Sequence, residues 1–218
     1  MSEVVPKEAL AKAIEEAIKS SKKRRFKQSV ELIVVLRDVD IRSPEGRIRE
    51  TIFLPHPPKK EVKICVIAEG DMALKAKEAG AYRVVSREEL KLMAENRKLA
   101  KKLAQECDWV LIRTDMMGQA GRVVGPTLGP RGKIPVPVPI TADIKAVIDM
   151  YKRAVFIRTK DQPQIMCRIG TEDMSPKELA ENALAVISTV ASKLKNPRYN
   201  IAKIVVKTTM GPAVEVKK

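Results

Sequence analysis

Histidine occurs once in 218 residues, as His56, so a histidine-based catalytic triad or metal cluster has almost no material to build from. Aromatic residues make up 3% of the chain, so its core has to be built from valine, isoleucine, leucine, alanine and methionine. The three cysteines, Cys65, Cys107 and Cys167, stand far apart, each in or beside an apolar segment. They lack the paired spacing of a zinc site and are expected to be small buried hydrophobes in a reducing compartment. No apolar run approaches the roughly 20 residues that cross a bilayer. There is no lipidation motif, and the mixed acidic and basic N-terminus has no signal-peptide apolar region. Paired carboxylates and nucleophile–base sets are missing too. These absences point to a cytoplasmic protein that is not an enzyme, with no membrane partner, no metal and no cofactor.

Positive charge is what the chain has in excess. Lysine and arginine number 42 against 27 acidic residues, a net charge of +15. A cation near a phosphate releases condensed counterions, so this balance favours a polyanionic partner, nucleic acid first. Hydrophobic residues at 44% are enough for a folded chain. The length allows one large domain or two modest ones.

Periodicity divides the chain into three textures. Pro6, Leu10, Ile14, Ala17 and Ile18 predict an amphipathic helix that ends in the basic cluster Lys19–Lys27. Val30–Leu36 and Glu50–Leu54 read as strands of a hairpin with a long connection, turning around Ser43–Gly46. Leu54–Lys60 holds Pro55, Pro57 and Pro58 and is expected to be a linker or hinge, because proline cannot join a sheet ladder. His56 inside it reads as a histidine at a proline turn.

The middle is different. Val62–Ala68 is a near-continuous apolar run, as in a strand buried on both faces. A helix follows at Asp71–Ala79, then a short strand at Tyr82–Val85. Ser86–Glu89 forms a capping box for a helix through Leu90, Met93, Leu99 and Leu103, before a strand at Trp109–Ile112. A further helix is expected from Thr141 to about Lys152. The alternation implies an open parallel α/β sheet.

In the last third, Val155–Thr159 and Ile165–Ile169 read as a hairpin around Lys160–Pro163. Ser175–Glu178 is a second capping box, and Ile201–Thr209 is an alternating strand. The two ends resemble each other more than the middle. The expected fold class is thus α/β and α+β in two domains. Residues 1–59 and 155–218 form a discontinuous α+β domain, and residues 60–154 an inserted open α/β, Rossmann-like domain.

Half of the ten glycines fall within Met117–Lys133. A phosphate-binding Walker loop needs glycine at 127 and Ser or Thr at 134, where Thr127 and Ile134 stand. The first strand-to-helix turn of the middle, Ala68–Asp71, is acidic and glycine-poor where a dinucleotide fingerprint belongs. Met117–Lys133 therefore reads as a loop. It is either structural, with glycines permitting positive φ and close packing, or a nucleic-acid contact through Arg122, Arg131 and Lys133.

Two other segments suit RNA. In Lys22–Lys27, Phe26 lies among cations and either stacks on bases and sugars or joins the core. Thr208–Pro212 ends a strand with hydroxyls that suit ribose or phosphate, and Gly211 allows close backbone approach to another molecule.

Three motifs together resemble the L-one family of large-subunit ribosomal proteins, most like its archaeal members. They are Arg49–His56, Gly125–Pro135 and Thr208–Pro212, in the family's order and spacing across nearly the whole chain. The resemblance implies two domains, the first holding both termini. It implies binding to a helical junction of large-subunit ribosomal RNA that forms the mobile stalk beside the tRNA exit site, aiding release of deacylated tRNA. It also implies repression of the protein's own mRNA, and a monomer when free. By the same resemblance, RNA contacts fall on Phe26, Ser29 and Glu31, on Lys160, Asp161 and Gln162, and on Thr209, Met210 and Gly211; Arg25 of the basic cluster, Thr208 of the strand end and Lys203, as a phosphate contact, are expected to join them. Two positions depart from the family pattern: Lys160 precedes Asp161 where the acid comes first, and Lys203 stands where a small polar residue can occur.

Overall fold

The computed structural model describes residues 5–43 and 46–217. In chain order the elements begin α1 (Lys7–Lys19), β1 (Ser29–Leu36), β2 (Arg49–Phe53), β3 (Ile64–Ile67), α2 (Asp71–Glu78), β4 (Arg83–Val85), α3 (Arg87–Glu95), α4 (Arg97–Glu106) and β5 (Trp109–Arg113). They continue α5 (Met117–Leu128), β6 (Pro135–Val138), α6 (Ile144–Tyr151), β7 (Ala154–Arg158), β8 (Gln164–Thr171), α7 (Pro176–Ser192), α8 (Pro197–Asn200), β9 (Ile201–Thr208) and β10 (Ala213–Glu215). The chain divides into two compact units, Met1–Lys60 with Arg153–Lys218, and Glu61–Lys152.

The first unit is built on an antiparallel sheet in the order β10-β9-β1-β8. Along β1, Val30, Leu32, Val34 and Leu36 are buried, while Ser29, Glu31, Ile33 and Val35 are half exposed. A strand alternates its side chains with period two, so one face of this sheet forms the core and the other is open. The buried face joins Leu10, Ile14 and Ala17 of α1 and Leu179, Ala183, Val186 and Val190 of α7 in one cluster. Helix α7 starts where expected, on a reciprocal Ser175–Glu178 capping box with Pro176 in its first turn.

Neither expected hairpin forms. β1 pairs with β8 and β9, while β2 pairs with β7 in a separate two-stranded sheet. Thr159 explains this: its backbone N–H donates to Ile48 O at 3.0 Å and its hydroxyl to Gly46 O at 3.0 Å, which aligns β2 with β7. The central residues of the expected Ser43–Gly46 turn lie outside the described residues.

The proline segment is tied down at His56. Its backbone N–H donates to the Asn182 side chain, and its carbonyl accepts from the same amide, both at 2.9 Å. The amide of buried Asn182 also reaches Ile169 O, so this core polar group is satisfied. His56 Nε2 lies 2.5 Å from Glu181, whose other oxygen accepts from Lys7 at 2.6 Å.

The second unit is a parallel sheet in the order β4-β3-β5-β6. All of β3 is buried, as its apolar run requires. Three expectations are corrected here. The single helix after Ser86 is two, because Asn96 ends α3 and its side chain caps α4 by accepting from Lys98 N. The glycine-rich loop is largely the helix α5, whose Ala120, Val124, Thr127 and Leu128 are buried at helical spacing. The proline-rich stretch after it contributes β6, at the sheet edge where prolines are tolerated.

The cysteines need correction as well. Cys65 on β3 and Cys107 at the end of α4 form a disulfide, with Cα atoms 5.8 Å apart. The parallel register of β3 and β5 brings them together across 42 residues. Cys167 is free and buried, and burial pushes its thiol up to about 12.

Two outcomes follow from these contacts. Reduction, or Cys65→Ser, lowers the stability of the second unit by about 3 kcal/mol, since the crosslink restricts its unfolded chain. Urea unfolding followed by the fluorescence of Trp109, which packs edge-on against Tyr151 in that unit, measures this. The Glu181 carboxyl is held at about 2 by hydrogen bonds from His56 and Lys7. A depressed carboxylate stabilises the fold above its unfolded value and loses that effect as pH falls through the folded one. Glu181→Gln should therefore flatten the loss of stability between the ordinary value of 4.5 and about 2 in acid titrations of melting temperature.

Candidate nucleic-acid interface

The start of β1 and the end of β9 meet at a buried glutamine. Gln28 is 0% exposed. Its side-chain carbonyl accepts from Met210 N at 3.1 Å, and its amide lies within hydrogen-bonding distance of Ser21 Oγ, Lys22 O and Glu172 Oε2. Glu172 returns the contact, accepting from Gln28 N and donating its own N–H to Gln28 O. One side chain thus fixes the basic loop after α1, the turn after β9 and the end of β8. The sequence signal was slight: a glutamine between a cationic cluster and a strand.

Around this hub, Arg25 and Phe26 are exposed, Phe26 at 52%, so the aromatic belongs to the surface and not to the core. Met210 is 59% exposed on the neighbouring turn. Thr209 shares its hydroxyl with Ser29, accepting from Ser29 N at 3.0 Å. Thr208 differs from its expected place at the surface: it is fully buried, and its hydroxyl donates to Ser21 at 2.9 Å. Gly211 is needed for an internal reason, since a Cβ there would lie 2.2 Å from Thr208 Oγ1 and 3.2 Å from Ser21. Thr208 and Gly211 therefore shape the turn from behind.

The open face of the sheet runs away from this end. Glu31 lies between Arg168 and Lys207 in register, and Ile33 lies between Met166 and Val205. Val35 lies between Gln164 and Lys203. Lys203 is exposed beside Glu215, at 3.5 Å. Beyond it, Leu36 N donates to Pro163 O, which sets Lys160, Asp161 and Gln162 at the far end of β1. The expected contact residues are thus not one cluster. They lie at the two ends of β1, about 23 Å apart at roughly 3.3 Å per residue, and the open face joins them. Arg168, Lys207 and Met166 belong to that face and were missed, because single alternating positions carry no motif.

In the second unit, the expected contacts separate. Arg122 is exposed on α5. Lys133 donates to Ala104 O and Cys107 O, at 2.9 and 2.6 Å, closing the end of α4; its burial lowers the ammonium's pKa. Arg131 donates to Thr127 O. Lys133 is thus a structural cap rather than a free phosphate contact.

The ends of β3 and β5, where open α/β sheets hold nucleotides, are filled by charge pairs. Arg113 bonds both oxygens of Asp115 at 2.6 Å and the carbonyl of Glu69 at 2.7 Å, and Arg87 pairs with Glu69. The hydrogen bond from Arg113 holds the Asp115 carboxyl below its usual range. Among the described residues, no helix is long and apolar enough to cross a membrane.

A sequence model of the ribosomal protein L1p/L10e family matches residues 7–212. The large ribosomal subunit protein uL1 of Staphylothermus marinus is 63% identical over 210 residues, 96% of this chain and 97% of its own. That of Hyperthermus butylicus is 59% identical over 213 residues, 98% of each chain. That of Aeropyrum pernix is 55% identical over 216 residues, covering 99% of this chain and 98% of its own. A match of this extent, at these identities, means that the chain belongs to the ribosomal protein L1p/L10e family.

Proposed function

We propose that the protein is a non-catalytic constituent of the large ribosomal subunit in the cytoplasm, and that it binds ribosomal RNA along the open face and ends of the sheet in its first unit. The observation that supports this best is the turn held by Gln28, which presents Phe26 and Met210 beside the exposed cations Lys22, Lys23, Arg24 and Arg25. Cations meet phosphates, and the exposed ring stacks on a base or ribose. Glu31, a carboxylate on a largely cationic face, suits a donor such as a ribose 2′-hydroxyl or an exocyclic amine and repels phosphate at its own position. This mixture reads RNA shape and sugar as well as charge.

Within this reading the RNA is the helical junction of the mobile stalk beside the tRNA exit site, where the protein aids release of deacylated tRNA. The free protein is a monomer. Its own mRNA, folded to a similar junction, is taken by the same surface and its translation is repressed. Family membership supports these steps, and so does a surface that fits RNA shape and would accept either molecule.

Phe26→Ala should cost about 1–3 kcal/mol of affinity for a ribosomal RNA stalk fragment, the range for loss of one stacked base, with no change in melting temperature. Met210→Asp should weaken binding in the same way by placing a carboxylate against RNA. Calorimetric titration in several salt concentrations measures both, and equal affinity for wild type and both variants would sink the assignment of this surface. Gln28→Leu should behave differently. It strands buried partners at about 1–3 kcal/mol each, so stability and affinity fall together.

A further inference from the structure

A cleft of about 590 Å³ opens in the first unit between the β1–β2 connection, the start of β2 and the end of β7. It is lined by Arg42, Arg47, Arg49 and Arg158, together with Lys160 and Asp161. Lys160 and Asp161 pair with each other at 3.2 Å. Among the described residues, none of the four guanidinium groups forms an ion pair with a carboxylate.

The fold holds these cations together against their repulsion. Arg49 and Arg158 are direct cross-strand partners on β2 and β7, and like charges placed so are destabilising. The connection that carries Arg42 and Arg47 is pinned by buried Thr159, whose hydroxyl accepts from Ile48 N at 3.1 Å and donates to Gly46 O at 3.0 Å. Gly46 itself has no room for a side chain, since a Cβ would lie 2.1 Å from Asp40 O. These contacts thus gather four guanidinium groups in a cleft whose one described carboxylate, Asp161, pairs with Lys160.

We propose that this cleft is a second phosphate site, which takes the backbone of an RNA segment other than the one bound along the sheet. It extends the RNA-binding reading above and adjoins its Lys160–Asp161 end, but the arginines that carry it, Arg42, Arg47, Arg49 and Arg158, are not among the sheet contacts. Guanidinium groups are planar forks that match phosphate oxygens in pairs and remain charged at any working pH. Ile41 is the one apolar residue in the lining, so the cleft offers no hydrophobic anchor of the kind that dominates binding between proteins. The chemistry selects a polyphosphate over an acidic protein surface.

The test uses the full chain, a short duplex RNA of arbitrary sequence and the stalk fragment, followed by fluorescence anisotropy across salt concentrations. The double variant Arg47→Gln/Arg158→Gln should bind the duplex roughly ten-fold more weakly, and its slope of log affinity against log salt should fall by about two, near one for each phosphate left without its arginine. Arg47→Lys/Arg158→Lys keeps the charge and should retain the slope, which separates missing charge from a damaged fold. Wild-type protein saturated with stalk fragment should still take up duplex. An unaltered slope in the glutamine variant, one-for-one displacement of duplex by fragment, or equal competition from polyglutamate would each overturn the proposal. Wild-type protein that takes the duplex at the cleft but not the fragment would sink the sheet reading and still support the cleft.

Discussion

The amide of Gln28 is the constraint on which the rest of the first unit's surface depends. It sits where three chain segments converge, bonding Glu172 across 144 residues and Met210 across 182. A buried primary amide has both donors and an acceptor, so it can hold segments that need opposite partners. Here it accepts from a turn and donates towards a loop. Apolar packing cannot do this, because it does not distinguish one backbone orientation from another. The neighbouring Ser21–Thr208 bond and the crowded Gly211 add to the same frame. The exposed residues are consequently held by buried ones, and the surface is organised before any ligand arrives.

Charge in this protein has to be sorted by what each group already touches. A net charge of +15 suggests contact everywhere, but several cations are used internally. Lys133 closes a helix end, Arg113 neutralises Asp115, Lys27 pairs with Asp173 at 3.0 Å, and Lys193 pairs with Glu50 at 2.7 Å. Others have no described carboxylate partner: the arginines of the cleft and Arg25. The proposed phosphate contacts are to be sought in that remainder. The same sorting accounts for the nucleotide-free reading of the second unit, whose usual ligand crevice is already occupied by Arg113, Asp115, Glu69 and Arg87.

Parts of this structure are legible in the residues because their causes are local. Ser175 and Glu178 satisfy each other's backbone within one turn, so the start of α7 follows from four residues. The alternation of β1 and β9 and the solid apolar run of β3 report directly which faces are buried. The misreadings have nonlocal causes. Helix α5 forms despite its glycines, each costing up to about 1 kcal/mol in a helix, because Val124 and Leu128 find a core that adjacent residues do not reveal. The disulfide depends on strand register. Strand pairing of β2 with β7 depends on Thr159, more than a hundred residues from Ile48. The site shows the same division: Phe26 and Met210 stand out by type, while Arg168 and Lys207 become visible only once the register puts them beside Glu31.

The length of β1 decides what kind of recognition this surface allows. Its ends carry the expected contacts and lie about 23 Å apart at roughly 3.3 Å per residue. A single splayed base or one phosphate cannot touch both. A structured RNA can, provided that its shape keeps two separate features at that spacing. The rigid sheet then acts as a ruler, and specificity comes from the distance between contacts as well as from the contacts themselves. On the proposed function, this spacing would let a surface with the exposed ring of Phe26, the carboxylates of Glu31 and Asp161 and scattered cations select one RNA. It also explains why the buried residues that fix those ends, Gln28 at one and Thr159 at the other, matter as much as the side chains they position.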